Sequence, residues 1–149
     1  MKSYNDVENM NKNDCLFCNI VLNKVHCYKI FENDIVLAFL DISPVSKGHI
    51  LIITKEHYDT YLDMDSLQSS DYFKYVNIIV KLVKNKLNCD GISLLINIGK
   101  DAGQEIMHQH VHLIPKWNNK NFIYKEIFFN KKNIDIDNNY FLEIKNLFK

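Results

Sequence analysis

The sequence contains no arginine, because all 18 of its basic residues are lysines, and 18 acidic residues balance them to a formal net charge of zero. This balance argues against a general nucleic-acid-binding protein, which normally carries a basic face. We therefore expect no nucleic-acid partner. Phosphate binding, if present, must come from histidine, lysine and backbone N–H groups, since no guanidinium fork is available.

Long apolar runs are also missing. No run approaches the ~18 apolar residues of a membrane span, and the polar N-terminus lacks the apolar region of a secretory signal. We therefore expect no membrane partner and a cytoplasmic, or also nuclear, location. In a reducing compartment, the four cysteines are more typical of thiols or metal ligands than of structural disulfides.

The length of 149 residues is typical of one domain. We predict a flexible leader over residues 1–14 and a single domain over residues 15–149, with its motifs in 15–117 and a weaker signal in 118–149. The hydrophobic pattern predicts an α+β fold with an antiparallel sheet. Strands are predicted at 28–32, 35–40, 50–53, 92–98 and 107–114, the last one stopping at Pro115. Helices are predicted at 15–22 with Asp14 as the cap, at 70–87 ended by Asp90-Gly91, and at 140–148.

The strongest chemical signal is the alternation His108-Gln109-His110-Val111-His112. Residues two apart on a strand share one face, so the three imidazoles are predicted to line one surface. Such a surface suits either a tri-imidazole metal site or a catalytic site, and the triplet alone leaves both open.

A glycine-containing loop, Asn97 to Gln104, precedes this strand. Successive backbone N–H groups of such a loop can point into one concavity and bind anions. The loop is not a P-loop, because Asp101 follows Gly99-Lys100 where a P-loop has Ser or Thr. It also lacks the dinucleotide-binding glycine pattern.

With these residues the chain resembles the histidine-triad (HIT) family. The family pattern N-x-G-x-x-A/G-G-Q-x-x-x-H-x-H-x-H matches residues 97–112, and a second signature matches residues 38–44 and 48–53. The opening Cys15-Leu16-Phe17-Cys18-Asn19-Ile20 is similar to the start of the zinc-bearing, Hint-like members. The resemblance implies a five-stranded antiparallel sheet with one long helix and shorter helices, and a homodimer formed through the long helix and a neighbouring strand.

The resemblance also implies a nucleotide-binding hydrolase acting on purine nucleotides such as AMP conjugates. Its nucleophile would be His110, whose neutral imidazole attacks the α-phosphorus and forms a nucleotidyl-histidine that water hydrolyses. His112 would donate to the phosphate oxygens, with His49 nearby, and Asp41 would accept from the ribose hydroxyls. The other implied substrate-binding residues are an apolar slot for the base (Leu16, Phe17, Ile20, Phe39, Ile42) and the phosphate-lining positions (Asn97, Gly103, Gln104, Glu105).

The pair Cys15-x-x-Cys18 has the spacing of a structural zinc knuckle. Two cysteines leave a tetrahedral site incomplete, and the resemblance completes it with His57 and His108. The spacing alone also fits a redox-active pair or two unligated cysteines. We interpret Cys27 and Cys89, which lie outside the motif, as ordinary thiols.

Three residues depart from the family pattern. Glu105 stands where Ser or Thr is usual and where the hydroxyl assists the leaving group. Gln109 replaces an apolar residue, and Thr54 replaces a proline. The preferred interpretation is a hydrolase of nucleoside phosphoramidates or related nucleotidyl conjugates. The alternatives are a dinucleoside polyphosphate hydrolase and a non-enzymatic, zinc-containing nucleotide-binding scaffold.

Overall fold

The computed structural model of the protein describes residues 14–117 and 134–149, and within them it contains one five-stranded antiparallel sheet. The strand order is β1-β2-β3-β5-β4, which confirms the predicted sheet. The predicted leader, apart from Asp14, lies outside the described residues, and so do residues 118–133 of the part with the weaker signal. The strands are β1 (Lys29–Glu32), β2 (Val36–Leu40), β3 (Ile50–Thr54), β4 (Gly91–Leu95) and β5 (His110–Lys116).

In the part of the chain that the structure describes, three α-helices accompany the sheet: α1 (Leu16–Val21), α2 (Ser66–Leu87) and α3 (Tyr140–Asn146). The first helix is capped by Cys15, and the prediction of Asp14 was wrong, because the Cys15 sulfur accepts from the Cys18 N–H. Helix α2 begins four residues before the predicted start. The side chains of Asp65 and Gln68 form a capping box that satisfies its first N–H groups. It ends at Asn88 in the left-handed conformation, ahead of the predicted Asp90-Gly91 stop.

The two faces of the sheet are covered by different helices. Every residue of β2 and β3 is buried, as in strands that pack on both sides. The larger cluster lies under α2, which contributes Tyr72, Val76, Ile79, Val83 and Leu87. The smaller cluster lies on the opposite face and includes Phe17 and Ile20 of α1. Among the described residues, the short helix α1 leaves much of this second face uncovered.

Strand β5 differs from its prediction at both ends. It begins at His110, because the chain makes a tight turn just before it, with the His108 N–H donating to the Ile106 carbonyl. It continues through Pro115, which pairs with Ile92 of β4. The Pro115 carbonyl accepts from the hydroxyl of Ser46, which precedes β3. The carbonyl and the nitrogen of a strand residue point to the same side, so the Pro115 nitrogen also points beyond the end of β3. The missing N–H of proline therefore removes no ladder hydrogen bond.

The described C-terminal residues pack against the loop between β2 and β3. The Gly48 N–H donates to the Tyr140 hydroxyl, and the Ile134 N–H donates to the Pro44 carbonyl. Gly48 has φ of 75°, and a Cβ there would lie 2.4 Å from Leu87 Cδ1, so only glycine fits immediately before His49. None of the helices in 14–117 and 134–149 has the length and apolar content needed to cross a membrane.

Candidate functional site

The uncovered face of the sheet forms a cavity of about 450 Å³, a size that suits a small-molecule ligand. It brings together residues from α1, the ends of β2 and β4, the start of β3, strand β5 and the glycine loop. The sequence-predicted residues that line it are Leu16, Phe17, Ile20, Phe39, Asp41, Ile42, His49, Asn97, Gly103, Glu105, His110 and His112.

His110 lies at the start of β5 with only 7% of its surface exposed. Its Nδ1 lies 2.6 Å from the His108 carbonyl oxygen. A carbonyl can only accept, so Nδ1 carries the ring proton and Nε2 of the neutral ring keeps its lone pair. Phe17 packs edge-on against the ring at 5.1 Å between centroids. The arrangement fixes both the tautomer and the orientation that a nucleophilic imidazole needs.

His112, two residues further along β5, belongs to a chain of hydrogen bonds. The Val45 N–H donates to His49 Nδ1 at 3.2 Å, so neutral His49 carries its proton on Nε2. That Nε2 lies 3.0 Å from His112 Nδ1, to which it donates. His112 therefore presents an N–H at Nε2, the donor required for a phosphate oxygen. We call His49, His110 and His112 the imidazole cluster.

Asp41 follows the last residue of β2 and faces the same cavity. Its Oδ1 accepts from the Ser43 N–H at 2.8 Å, which closes a turn. Its Oδ2 lies 3.5 Å from His49 Nε2. The carboxylate thus has a structural role in the loop and also borders the imidazole cluster, where it can accept further hydrogen bonds.

The apolar end of the cavity is formed by α1 and β2. Phe17 packs edge-on against Phe39 at 5.8 Å between centroids. Leu16 and Ile42 remain 43% and 74% exposed at the rim. Exposed apolar side chains beside a cavity favour the binding of a flat apolar group such as a nucleobase.

The glycine loop forms the wall on the side of β4. Gly99 and Gly103 adopt φ of 87° and 91°, which glycine tolerates without strain. The Gly103 carbonyl accepts from the Asn97 side chain. Gln104, in contrast, does not line the cavity. It is buried behind the loop, where its amide accepts from the Gly99 N–H and donates to the carbonyls of Asp59 and Ile106.

Three lining residues of the α1–β1 connection were missed by the sequence reasoning: Val25, His26 and Cys27. They belong to none of the motifs, and no periodicity marks them. Their only signal is their position directly after the helix that carries Phe17 and Ile20. Burial raises the pKa of the Cys27 thiol, which favours the protonated, unreactive form.

A second group of side chains lies behind Phe17: Cys15, Cys18, His57 and His108, which we call the Cys/His cluster. The His57 Nδ1 and His108 Nδ1 atoms are 3.2 Å apart. The Cys15 sulfur lies 3.4 Å from His108 Nδ1, and the Cys18 sulfur lies 3.2 Å from His57 Nδ1 and 3.6 Å from His108 Nδ1. Tetrahedral zinc with these ligands requires N···N separations of about 3.3 Å and N···S separations of about 3.5 Å.

The outer hydrogen bonds of His57 and His108 determine which nitrogen of each ring carries the proton. His108 Nε2 donates to the Thr54 carbonyl at 2.7 Å, and His57 Nε2 lies 2.6 Å from the Asp59 carboxylate. Each neutral ring therefore presents an Nδ1 lone pair to the other, an arrangement that a cation stabilises and a hydrogen bond cannot. Outer carbonyl and carboxylate partners of this kind are typical of zinc-binding histidines. The four residues therefore fit a structural zinc ion.

Burial lowers the pKa of His108 to about 4, so its ring is neutral at physiological pH, as a metal ligand requires. The same residue supplies the carbonyl that orients His110. The Cys/His cluster is thus joined to the imidazole cluster through one residue.

Residues 23–119 match the family model described as "HIT domain". The chain belongs to the HIT family. The family match spans the imidazole cluster, the glycine loop and two members of the Cys/His cluster. It confirms the resemblance inferred from the spacing of the motifs.

Two HIT relatives have names that state an activity. Adenosine 5'-monophosphoramidase hnt1 of Schizosaccharomyces pombe is 38% identical over 104 residues, which cover 70% of this chain and 75% of that protein. Adenylylsulfatase HINT3 of Arabidopsis thaliana is 38% identical over 105 residues, covering 70% of this chain and 53% of that protein. A solved structure, described as a Zn-bound histidine triad family protein from Mycobacterium smegmatis, superposes with a TM-score of 0.78. It has 27% identity and covers 93% of this chain and 92% of that chain.

Proposed function

We propose that this HIT-family protein hydrolyses purine nucleoside phosphoramidates, or closely related nucleotidyl conjugates, at the α-phosphorus. The observation that carries the proposal is the His110 imidazole, whose Nδ1–H is held by the His108 carbonyl. Nε2 is therefore the ring nitrogen with the lone pair, beside the donor His112. The names of hnt1 and HINT3 support hydrolysis of an adenylyl compound.

The reaction has two steps. In the first, His110 Nε2 attacks the α-phosphorus, the new P–N bond forms, and the bond from phosphorus to the leaving amine breaks as the amine takes up a proton from solvent. In the second, water attacks the phosphorus and gives up a proton to solvent, the P–Nε2 bond breaks and its electron pair returns to Nε2, and the nucleoside monophosphate leaves. The Nε2–H of His112, which His49 polarises, stabilises the charge on the phosphate oxygens in both transition states.

The remaining cavity residues bind the nucleoside. The base would lie between the apolar side chains of α1 and β2, and the ribose hydroxyls would donate to Asp41. Asn97 and Gly103 line the cavity from the glycine loop, where they would border the phosphate. Gln104 would act indirectly, since it holds Gly99 from behind the loop.

Zinc would have a structural role in this proposal, held by Cys15, Cys18, His57 and His108. When bound, it would supply a fixed link between α1, the segment after β3 and the turn before β5. The chemistry on phosphorus would remain with the imidazole cluster.

A homodimer is part of the same proposal. Among the described strands, β4 is an edge of the sheet. Leu94 on β4 is 48% exposed, and Ile78 on α2 is 41% exposed. An edge strand beside exposed apolar residues favours pairing with a second copy. Sedimentation of the wild type and of Leu94→Lys tests this, and a wild type that remains monomeric at micromolar concentration would contradict it.

The decisive experiment compares adenosine 5'-phosphoramidate with a diadenosine polyphosphate as substrates. We expect faster turnover of the first, because Asp41 and Glu105 are both acidic and none of the described lining residues is a lysine. A polyphosphate leaving group carries several negative charges, which these carboxylates repel. Acid quenching during turnover, followed by peptide mass spectrometry, should recover the adenylyl group on His110. Tight AMP binding without turnover of either compound would instead support the scaffold function.

A further inference from the structure

Glu105 places a carboxylate in the wall of the cavity, on the loop that joins β4 to β5. Glu105 is exposed, so its carboxylate is in contact with solvent as well as with the cavity. The family pattern has a hydroxyl at this position. A hydroxyl is neutral, whereas a carboxylate imposes a charge on whatever group binds next to it.

The strand order shows on which side of the imidazole cluster this charge lies. Across the sheet, Asp41 follows β2, His49 precedes β3, His110 and His112 lie on β5, and the glycine loop joins β4 to β5. The apolar slot and Asp41 thus lie on one side of the imidazole cluster. Glu105 lies on the other side.

A nucleotide bound with its base in the slot has its phosphate at the imidazole cluster. The group attached beyond the phosphate then extends toward the glycine loop. Glu105 and Asp41 are the charged lining residues among those described, and both are acidic. Glu105 therefore contributes a negative charge to the wall that receives the leaving group, and a negative charge favours cations over anions.

We propose that Glu105 makes the enzyme selective for nucleotide conjugates whose leaving group is an amine with a second, positively charged ammonium. The inference rests on the proposed function, because it concerns the leaving group of that same reaction. The carboxylate pairs with the distal ammonium while the proximal nitrogen remains bonded to phosphorus. Neutral amines bind without this pair, and anionic leaving groups are repelled.

Because Glu105 is exposed, the preference should be modest. Exposed ion pairs correspond to roughly a two- to fivefold change in affinity. The preference should also weaken with salt, since the Debye length falls from ~10 Å at 0.1 M to ~3 Å at 1 M. This salt dependence separates charge selection from a change in cavity shape.

The test uses two synthetic probes, the AMP phosphoramidates of hexylamine and of diaminopentane. They have the same length and differ in a terminal methyl or ammonium group. For the wild type at low salt, we expect kcat/KM to be roughly two- to fivefold higher for the ammonium probe. The ratio should approach one in about 1 M NaCl and in Glu105→Gln, and it should invert in Glu105→Lys.

Asp101→Asn is the matched control, because Asp101 is an exposed carboxylate of the same loop that does not line the cavity. It should keep the wild-type ratio. A ratio of one in the wild type, or an equal loss of the preference in Asp101→Asn, would overturn the role of Glu105 while leaving the hydrolase proposal intact. Failure of the wild type to hydrolyse either probe would instead overturn the proposed function.

Discussion

The imidazole cluster and the Cys/His cluster contain similar groups at similar distances, yet their protons are arranged differently. His49 Nε2 and His112 Nδ1 are 3.0 Å apart, and His57 Nδ1 and His108 Nδ1 are 3.2 Å apart. His49 and His112 have the spacing of a metal site when Asp41 is included. His57 and His108 have the same spacing when Cys15 and Cys18 are included. Distance alone therefore does not distinguish the two clusters.

The outer hydrogen bonds do distinguish them. The Val45 N–H donates to His49 Nδ1 and forces a proton onto Nε2, the atom that would have to bind a metal. In the Cys/His cluster, Thr54 and Asp59 accept from the outer nitrogens and leave the inner nitrogens as lone pairs. A backbone donor thus produces a proton-donating chain suited to phosphate, and outer acceptors produce a ligand set suited to zinc.

The largest expected effect comes from removing the nucleophile. His110→Ala should lower kcat for adenosine 5'-phosphoramidate by roughly 10³-fold or more, because the covalent route is lost. AMP affinity and zinc content should change little, since the slot and the Cys/His cluster remain. Steady-state kinetics, AMP titration and metal analysis measure the three quantities. Near-normal turnover at saturating substrate would contradict the assignment of His110.

Breaking the Cys/His cluster should act first on stability. Protein purified without added metal should contain about one zinc per chain, and Cys15→Ser should lose most of it. The melting temperature should fall by on the order of 10 °C, because the metal stabilises only the folded state. Elemental analysis and thermal unfolding with and without chelator measure this.

Cys27→Ser is the matched control for zinc content, because Cys27 lies outside the cluster. It should retain the metal. Zinc that survives the loss of both Cys15 and Cys18, or a metal-free protein of full stability, would exclude the structural zinc site.

The sequence predicted which residues form each cluster better than it predicted the hydrogen bonds that each ring makes. Alternation on a strand correctly gave a shared face for His110 and His112. His108 lies on the same face, because Phe17 packs edge-on against both His108 and His110. It precedes the strand after a turn, however, and only the family spacing assigned it to the metal cluster. The role of each ring depends on a partner distant in sequence, as Thr54 is from His108. No local pattern encodes such a pairing.

The cavity wall was predicted with similar limits. Motif positions identified the slot, Asp41 and the loop, because these are fixed by local spacing. His26 and Cys27 were missed because the fold, and no motif, brings their loop to the cavity. Gln104 was placed among the phosphate-lining residues, but the loop turns its side chain inward to three backbone groups. The direction of a loop side chain depends on such pairings.

His49 tests the proton-donating chain with a smaller expected effect. In His49→Asn, the amide oxygen can still accept from the Val45 N–H, but the donor to His112 is lost. In His49→Gln, an amide N–H can occupy the position of Nε2. We expect kcat to fall roughly 10- to 100-fold in His49→Asn and clearly less in His49→Gln, with unchanged zinc content in both.

His57→Ala is the reciprocal variant, since it should lose zinc while the chain from Val45 to His112 remains intact. If His49→Asn and His49→Gln have equal kcat values, donation from Nε2 is not what His49 contributes. Loss of zinc in either His49 variant would contradict the separation of the two clusters.

The smallest expected effect concerns Gln109, which lies between His108 and His110 in sequence but on the opposite face of the sheet. It is 1% exposed, and its amide lies beside the Tyr72 hydroxyl. Neither amide atom has a hydrogen bond of acceptable geometry within the described residues. A buried amide without good partners costs about 1–3 kcal/mol. Gln109→Met keeps the side-chain length and removes this cost, so it should raise the free energy of unfolding by about 1 kcal/mol.

Urea unfolding measures this change, and Gln68→Met on the exposed first turn of α2 is a length-matched control. That control removes a side chain of the capping box, so it should be neutral or slightly destabilising. Turnover and zinc content should be unaltered in Gln109→Met, because its side chain contacts neither cluster. A lower stability would mean that the amide is satisfied in solution. An altered kcat would mean that the helix-facing side of this turn also positions His110, through the backbone that the two clusters share.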